Sequence, residues 1–198
     1  MPKVGIEPVR KKQLIEATLF SIGEHGLQGT TINTISRSAG LSSGIISHYF
    51  GGKQGLIEAT IRYLLDQLKV TLLDQVSQKK VAPRERLLKI VEANFTSVQQ
   101  SDAATRTWIS FWAQAMHDPE LARLQKINSR RLLSNLRYSY KQLMPYSKAT
   151  RAAKMTAAMI DGFWLRSALS DASDIDFKEA EILCKHFIET LIIQYGEF

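Results

Sequence analysis

Apolar residues recur every three or four positions along nearly the whole of this chain, and nowhere do they alternate with polar ones over a long run. Spacing near 3.6 puts such residues on one side of a helix, whereas a half-buried strand needs a period of two. The pattern therefore specifies an all-α protein. Turn residues divide it into about nine helices. Leu14, Ile15, Thr18 and Ile22 line a first helix after Pro8, which Gly26 closes. Thr30 or Thr31 caps a second over 32–39, Gly40 ends it, and Ser42 or Ser43 caps a third that runs to about Phe50. A long fourth helix starts at Lys53 and carries Ile57, Ile61, Leu64, Leu68, Leu72 and Val76; its roughly 25 residues would span about 37 Å. Residues 77–83 form a loop. Helices follow over 84–98, 103–116, 121–143, 148–169 and 177–195, with a loop over 170–176 between the last two.

The 198 residues suffice for a sizeable core. Net charge is +7, from 26 basic and 19 acidic side chains, which favours an anionic partner, either nucleic acid or a membrane surface. The single cysteine, Cys184, excludes an internal disulfide and lies in an apolar row with Ala180, Phe187 and Leu191, as a buried thiol would. The start of the chain lacks the apolar core of a secretory signal, and no window approaches the length of a membrane span. These features place the chain in the reducing cytoplasm, with no membrane partner. No nucleophile–base spacing points to an enzyme, and no cofactor signature is present. His117 and Asp118 lack a third metal ligand at helical spacing; a turn before Pro119 accounts for them.

The stretch GLSSGIISHYFGGKQGL, residues 40–56, departs from ordinary helix composition. Glycine inside a helix costs roughly 1 kcal/mol against alanine, yet here glycine and serine interrupt a short helix. The second and third helices with the Gly40 turn have the dimensions of a helix-turn-helix, whose second member enters the DNA major groove. A groove about 12 Å wide favours a slim leading edge, so Ser43 and Gly44 would let backbone approach DNA closely. Ser47 and His48 would supply short polar contacts, while Ile45 or Ile46 packs back on the first helix. Thr31, Ser42 and Lys53 begin the second, third and fourth helices, where exposed N–H groups attract phosphate, and Lys53 adds a full charge. Arg37 contributes another. Residues 1–55 hold six basic residues, including Lys3, and three acidic, a net of +3. Spacing alone also fits a compact helical corner with no ligand, although DNA is the better fit.

Behind this region Trp108 and Trp112 stand one helical turn apart with Phe111 beside them, and Asp161 and Trp164 share a row with Ala157 and Ala168. An aspartate on an apolar face needs a cation: Arg106, Arg166 or a ligand. Trp108, Phe111, Trp112, Asp161 and Trp164 fit a packed core with an Asp–Arg pair at its edge. They also fit a cage for a quaternary ammonium group, each aromatic face contributing about 0.5–2 kcal/mol. The helix around Met155 is apolar on two sides, as a helix between its own core and a second copy must be, so the last two helices form a homodimer interface. Arg123, Lys126, Arg130, Arg131, Arg137 and Lys141 allow a second anion site, for which a solvated helix face is the simpler reading.

TTINTISRSAG followed by LSSGIISHYFGGKQGLIEA resembles the DNA-binding region of the TetR family of bacterial repressors. That family's capping Thr, its helix-ending Ile and Ala–Gly, its Ser and Gly opening the recognition helix and its aromatic ending correspond to Thr31, Ile35, Ala39, Gly40, Ser42, Gly44, Tyr49 and Phe50. Lys53 and Leu56 lead into the fourth helix. Where the family carries a phosphate-contacting tyrosine this chain has Ser47, so the contact passes to His48 or Tyr49. The segments MPKVGIEPVRKKQLIEAT, GIISHYF, TWISFWAQAMHDP, SRRLLSNL and MIDGFWLRSALS are similar to choline-responsive members that control glycine betaine synthesis genes. The resemblance implies a DNA-binding headpiece over 1–52 and a ligand-sensing and dimerisation part over 53–198. It further implies a palindromic duplex DNA operator and choline, or a related quaternary amine, held by the cage. A regulator of another operon, such as an efflux pump answering a different bulky cation, shares every feature except ligand and operator. A sequence-indifferent architectural DNA binder would carry denser basic charge.

Overall fold

The structure, a computed structural model, describes residues 6–77, 81–170 and 176–196. Parts of the loops expected over 77–83 and 170–176 lie outside the described residues, as does Lys3. The described residues form α1 (Ile6–Gly29), α2 (Ile32–Ala39), α3 (Ser43–Phe50), α4 (Lys53–Ser77), α5 (Pro83–Asn94), α6 (Ser97–Gln100), α7 (Asp102–Gln114), α8 (Pro119–Tyr140), α9 (Tyr146–Leu169) and α10 (Phe177–Tyr195), and no strand. Since α6 is a single turn, the expected all-α fold of about nine helices is what the chain adopts. Among the described residues no helix is long and apolar enough to cross a membrane.

The chain divides into two compact units. One comprises the residues up to Asp66 together with Ser101–Leu124; the other comprises Gln67–Gln100 and the residues from Gln125 onward. In the first, Leu14 and Ala17 of α1, Ile35 and Ala39 of α2, Ile46 of α3 and Leu56 of α4 form one buried cluster, flanked by Ile15, Ile45, Tyr49 and Phe50. Helix α7 packs along α1. The crossing is close enough that a Cβ on Gly23 would lie 3.2 Å from the Cα of Ala103. Gly26 breaks α1 where the sequence places a stop: its backbone is non-helical at φ 65°, and a short helical turn follows to Gly29. Glycine reaches that conformation without the steric cost of a side chain.

In the second unit α10 packs on α9 and α5. Its core includes Leu87, Ile90 and Val91 from α5, Ala152, Ala153 and Ile160 from α9, and Ala180, Cys184, Ile188 and Leu191 from α10. The Tyr140 and Thr156 hydroxyls share a buried 2.8 Å hydrogen bond. Burial, followed by the nearby Glu181 charge, pushes the Cys184 thiol up to about 12, so it stays protonated and unreactive at neutral pH. At the edge, Glu92 accepts from both Lys89 and Lys185 at 2.9 Å, and Arg84 pairs with Glu189 at 2.9 Å.

Candidate nucleic-acid interface

Reciprocal hydrogen bonds hold the start of α2. Thr31 Oγ1 accepts from the Thr34 N–H at 3.1 Å, and Thr34 Oγ1 accepts from the Thr31 N–H at 2.8 Å. This capping box sits outside the core with Thr31 exposed, while Ile35 and Ala39 anchor the helix from beneath. Gly40 adopts the left-handed conformation at φ 62°. Its N–H bonds the Arg37 carbonyl and the next N–H, of Leu41, bonds the Ser36 carbonyl at 3.0 Å, which closes the helix and starts the turn. Gln13 Nε2 of α1 donates to the Ala39 carbonyl at 2.7 Å and holds that turn against the core.

Helix α3 follows with Ser42 at its N-cap in extended backbone; the Ser42 side chain makes no capping bond and stays exposed. Ile46 is buried and Ile45 half-buried, whereas Ser43, Gly44, Ser47 and His48 are exposed along the other side. A Cβ on Gly44 would meet no atom within 4 Å, so the leading edge of α3 faces open space. Arg37 is exposed on α2. Tyr49 is half-buried against the core cluster, with the Lys11 ammonium 5.7 Å from its ring centre and the His48 ring 5.0 Å away. Lys53 is also half-buried, and its Nζ donates to the Leu27 carbonyl at 3.4 Å. The predicted DNA set thus comprises an open edge, Thr31, Arg37, Ser42, Ser43, Gly44, Ser47 and His48, and two residues, Tyr49 and Lys53, that the unit itself engages. Thr34 and Gln13 escaped the sequence reading. The usual box partner is Glu or Gln, and nothing in local spacing shows Gln13 reaching residue 39.

The predicted sensor residues fall into two groups, one in each compact unit. On α7, Trp108 and Phe111 are buried and meet edge-on at 5.8 Å, and the half-buried Trp112 lies 6.3 Å from Trp108. On α9, Trp164 is buried, and its ring lies 5.9 Å from Phe177 of α10, a neighbour the sequence reading missed. Asp161 is exposed and forms no ion pair among the described residues, with Arg106, Arg166 or any other cation. The expectation that burial forces a partner on it does not hold. Desolvation by the surrounding protein still raises its carboxyl to about 6. Water reaches the side chain, so the upward push is smaller than a closed site would give.

Residues 14–60 match the model of the bacterial regulatory proteins of the tetR family, and residues 83–193 match that of the C-terminal domain of BetI-type transcriptional repressors. The chain belongs to the TetR family. This TetR-family chain is 46% identical to the HTH-type transcriptional regulator BetI 2 of Chromohalobacter salexigens, over 99% of this chain and 95% of that one. It is 47% identical to the HTH-type transcriptional regulator BetI of Paraburkholderia phymatum, over 98% of both. A regulator from Saccharomonospora viridis solved in complex with choline shares the TetR-like fold, with a TM-score of 0.80 over 96% of this chain and 100% of that one, at 18% identity. The protein is a TetR-family DNA-binding transcriptional repressor of the BetI type, not an enzyme.

Proposed function

We propose that this repressor senses choline and controls glycine betaine synthesis genes, binding a palindromic operator as a cytoplasmic homodimer. The similarity to BetI regulators across nearly the whole chain carries this reading, because it includes the region behind the headpiece. Within 1–52, the open edge of α3 reads base edges through Ser43, Gly44, Ser47 and His48. Thr31, Arg37, Ser42, Tyr49 and Lys53 hold the phosphates. Within 53–198, Trp108, Phe111, Trp112, Asp161 and Trp164 serve the ligand: aromatic faces attract a quaternary ammonium, and the carboxylate adds charge. Helix α7 carries three of these aromatics and packs on α1 inside the same compact unit as α2 and α3, which supports linkage between ligand and DNA. If choline binds better to the conformation that holds DNA badly, it weakens DNA binding by that same factor.

The test is binding of the full-length protein to the DNA upstream of its own gene, with and without choline. A preference for one palindrome of about 10³ or more over random duplex at physiological salt is expected, together with a choline-dependent change in affinity. Retained operator preference with no response to choline, but a response to another bulky cation, would assign the protein to a different operon.

A further inference from the structure

Between Gln125 and Lys141 the chain carries five basic residues, Lys126, Arg130, Arg131, Arg137 and Lys141, and no acidic one, in a protein whose whole net charge is +7. This run of α8 and its last turn is therefore more basic than the entire headpiece region, six basic against three acidic over residues 1–55. All five side chains are exposed, and none forms an ion pair among the described residues. Other basic residues, Lys11, Lys12, Arg84, Lys89, Arg123 and Lys185, are each paired with a carboxylate, whereas Arg37 of the headpiece is, like these five, exposed and without an ion pair among the described residues. A solvated helix face ordinarily alternates charges, because like charges four apart repel, and Lys126–Arg130 and Arg137–Lys141 are two such pairs.

At 100° per residue Lys126, Arg130, Arg137 and Lys141 fall within about 60° of arc, and at 1.5 Å per residue they extend over about 22 Å. A duplex strand carries one phosphate per roughly 3.4 Å of axis, so the row matches about six successive phosphates. Arg130, Arg131 and Arg137 rim a surface depression that Ile127 and Leu133 also line, and the Ser134 hydroxyl beside them donates to the Arg131 carbonyl at 3.0 Å. We propose that this face of α8 is a second, sequence-independent phosphate-backbone surface, engaged by a segment of duplex DNA other than the groove that α3 enters. It is independent of the choline reading.

The test uses full-length protein and fluorescence anisotropy on a 20-base-pair duplex without the operator, across a salt series. Three contacts removed in Lys126→Gln/Arg130→Gln/Arg137→Gln should flatten the salt slope by roughly 2–3 units, at about 0.9 per contact, while the ratio of operator to random affinity on a short operator duplex stays unchanged. Gly44→Glu, which points a carboxylate into open space at the edge of α3, should abolish operator preference but keep salt-dependent duplex binding; adding the triple change should remove it. Circular dichroism melts establish that each variant is folded. A duplex RNA arm separates recognition of any polyphosphate helix from DNA alone, and tight RNA binding with no DNA binding would overturn the DNA assignment. The proposal also fails if the triple variant keeps the wild-type slope. It fails again if Gly44→Glu alone eliminates all duplex binding at low salt, or if polyglutamate competes for the face where DNA does not.

Discussion

Asp161 shows how one side chain can look different in sequence and in structure. Its spacing from Ala157, Trp164 and Ala168 suggests a shared buried face. Yet α9 buries Ala149, Ala152, Ala153, Thr156, Ala157, Ile160 and Trp164, and at 100° per residue Asp161 falls about 100° from the centre of that arc. It stands at the rim, where water reaches it and the surrounding protein still lifts its carboxyl from 3.8 to about 6. A folded value above the unfolded one means that ionisation opposes folding; this small cost is complete above about 6 and disappears as the pH falls toward the ordinary value. For a cationic ligand the sign is the reverse, since attraction needs the ionised carboxylate. Choline affinity measured by calorimetry should therefore fall between pH 7.5 and pH 5, approaching tenfold per unit below the folded value, and Asp161→Asn should flatten the profile. A wild-type profile already flat over that range would remove Asp161 from the ligand site.

At the scale of elements, α3 concentrates the functional argument, and Gly44 tests it. A Cβ there meets nothing within 4 Å and the position is helical, so Gly44→Ala should raise stability by roughly 0.5–1 kcal/mol through helix propensity. The same methyl group would stand on the edge assigned to the groove, so operator affinity should drop while the thermal midpoint rises. Unchanged or tighter operator binding would mean that this edge does not approach DNA. The headpiece helices were legible because their signals are local: a Thr cap, a glycine at each stop, and apolar residues at helical spacing. Where periodicity runs through a break, it misleads. Ile90, Phe95 and Val98 continue the pattern of α5, but Asn94 Nδ2 takes the Ile90 carbonyl at 2.7 Å, Gln100 Nε2 takes that of Phe95, and the helix stops at Asn94. Gly26 marks a real break in α1, and what its spacing does not show is the short helical turn that follows to Gly29.

At the scale of the molecule, the partition into compact units was not legible. Helix α7 joins the unit that holds α1, α2 and α3 through a contact between Gly23 and Ala103, residues eighty positions apart and too small to leave a periodic signature. The second apolar side of α9 was legible, and it carries the prediction of a dimer. Opposite its buried arc α9 presents Met155, 37% exposed, Leu169, 66% exposed, and the small exposed residues Ala158 and Gly162. On α10, Ile182 and Ile193 are 57% and 74% exposed. Apolar side chains that the chain's own core leaves in water suit a symmetric interface in which the same two helices meet their copies, with small residues allowing close approach. Ile182→Glu combined with Ile193→Glu should shift the protein to monomer in sedimentation velocity with its helical content intact. Affinity for a full palindrome should then fall by about 10²–10⁴, the advantage of linking two modest contacts, while affinity for an isolated half-site stays the same. A double variant that remains dimeric would place the interface elsewhere. One that becomes monomeric yet binds the palindrome undiminished would show that operator recognition does not depend on pairing two recognition helices, and the two-fold reading of the operator would fail with it.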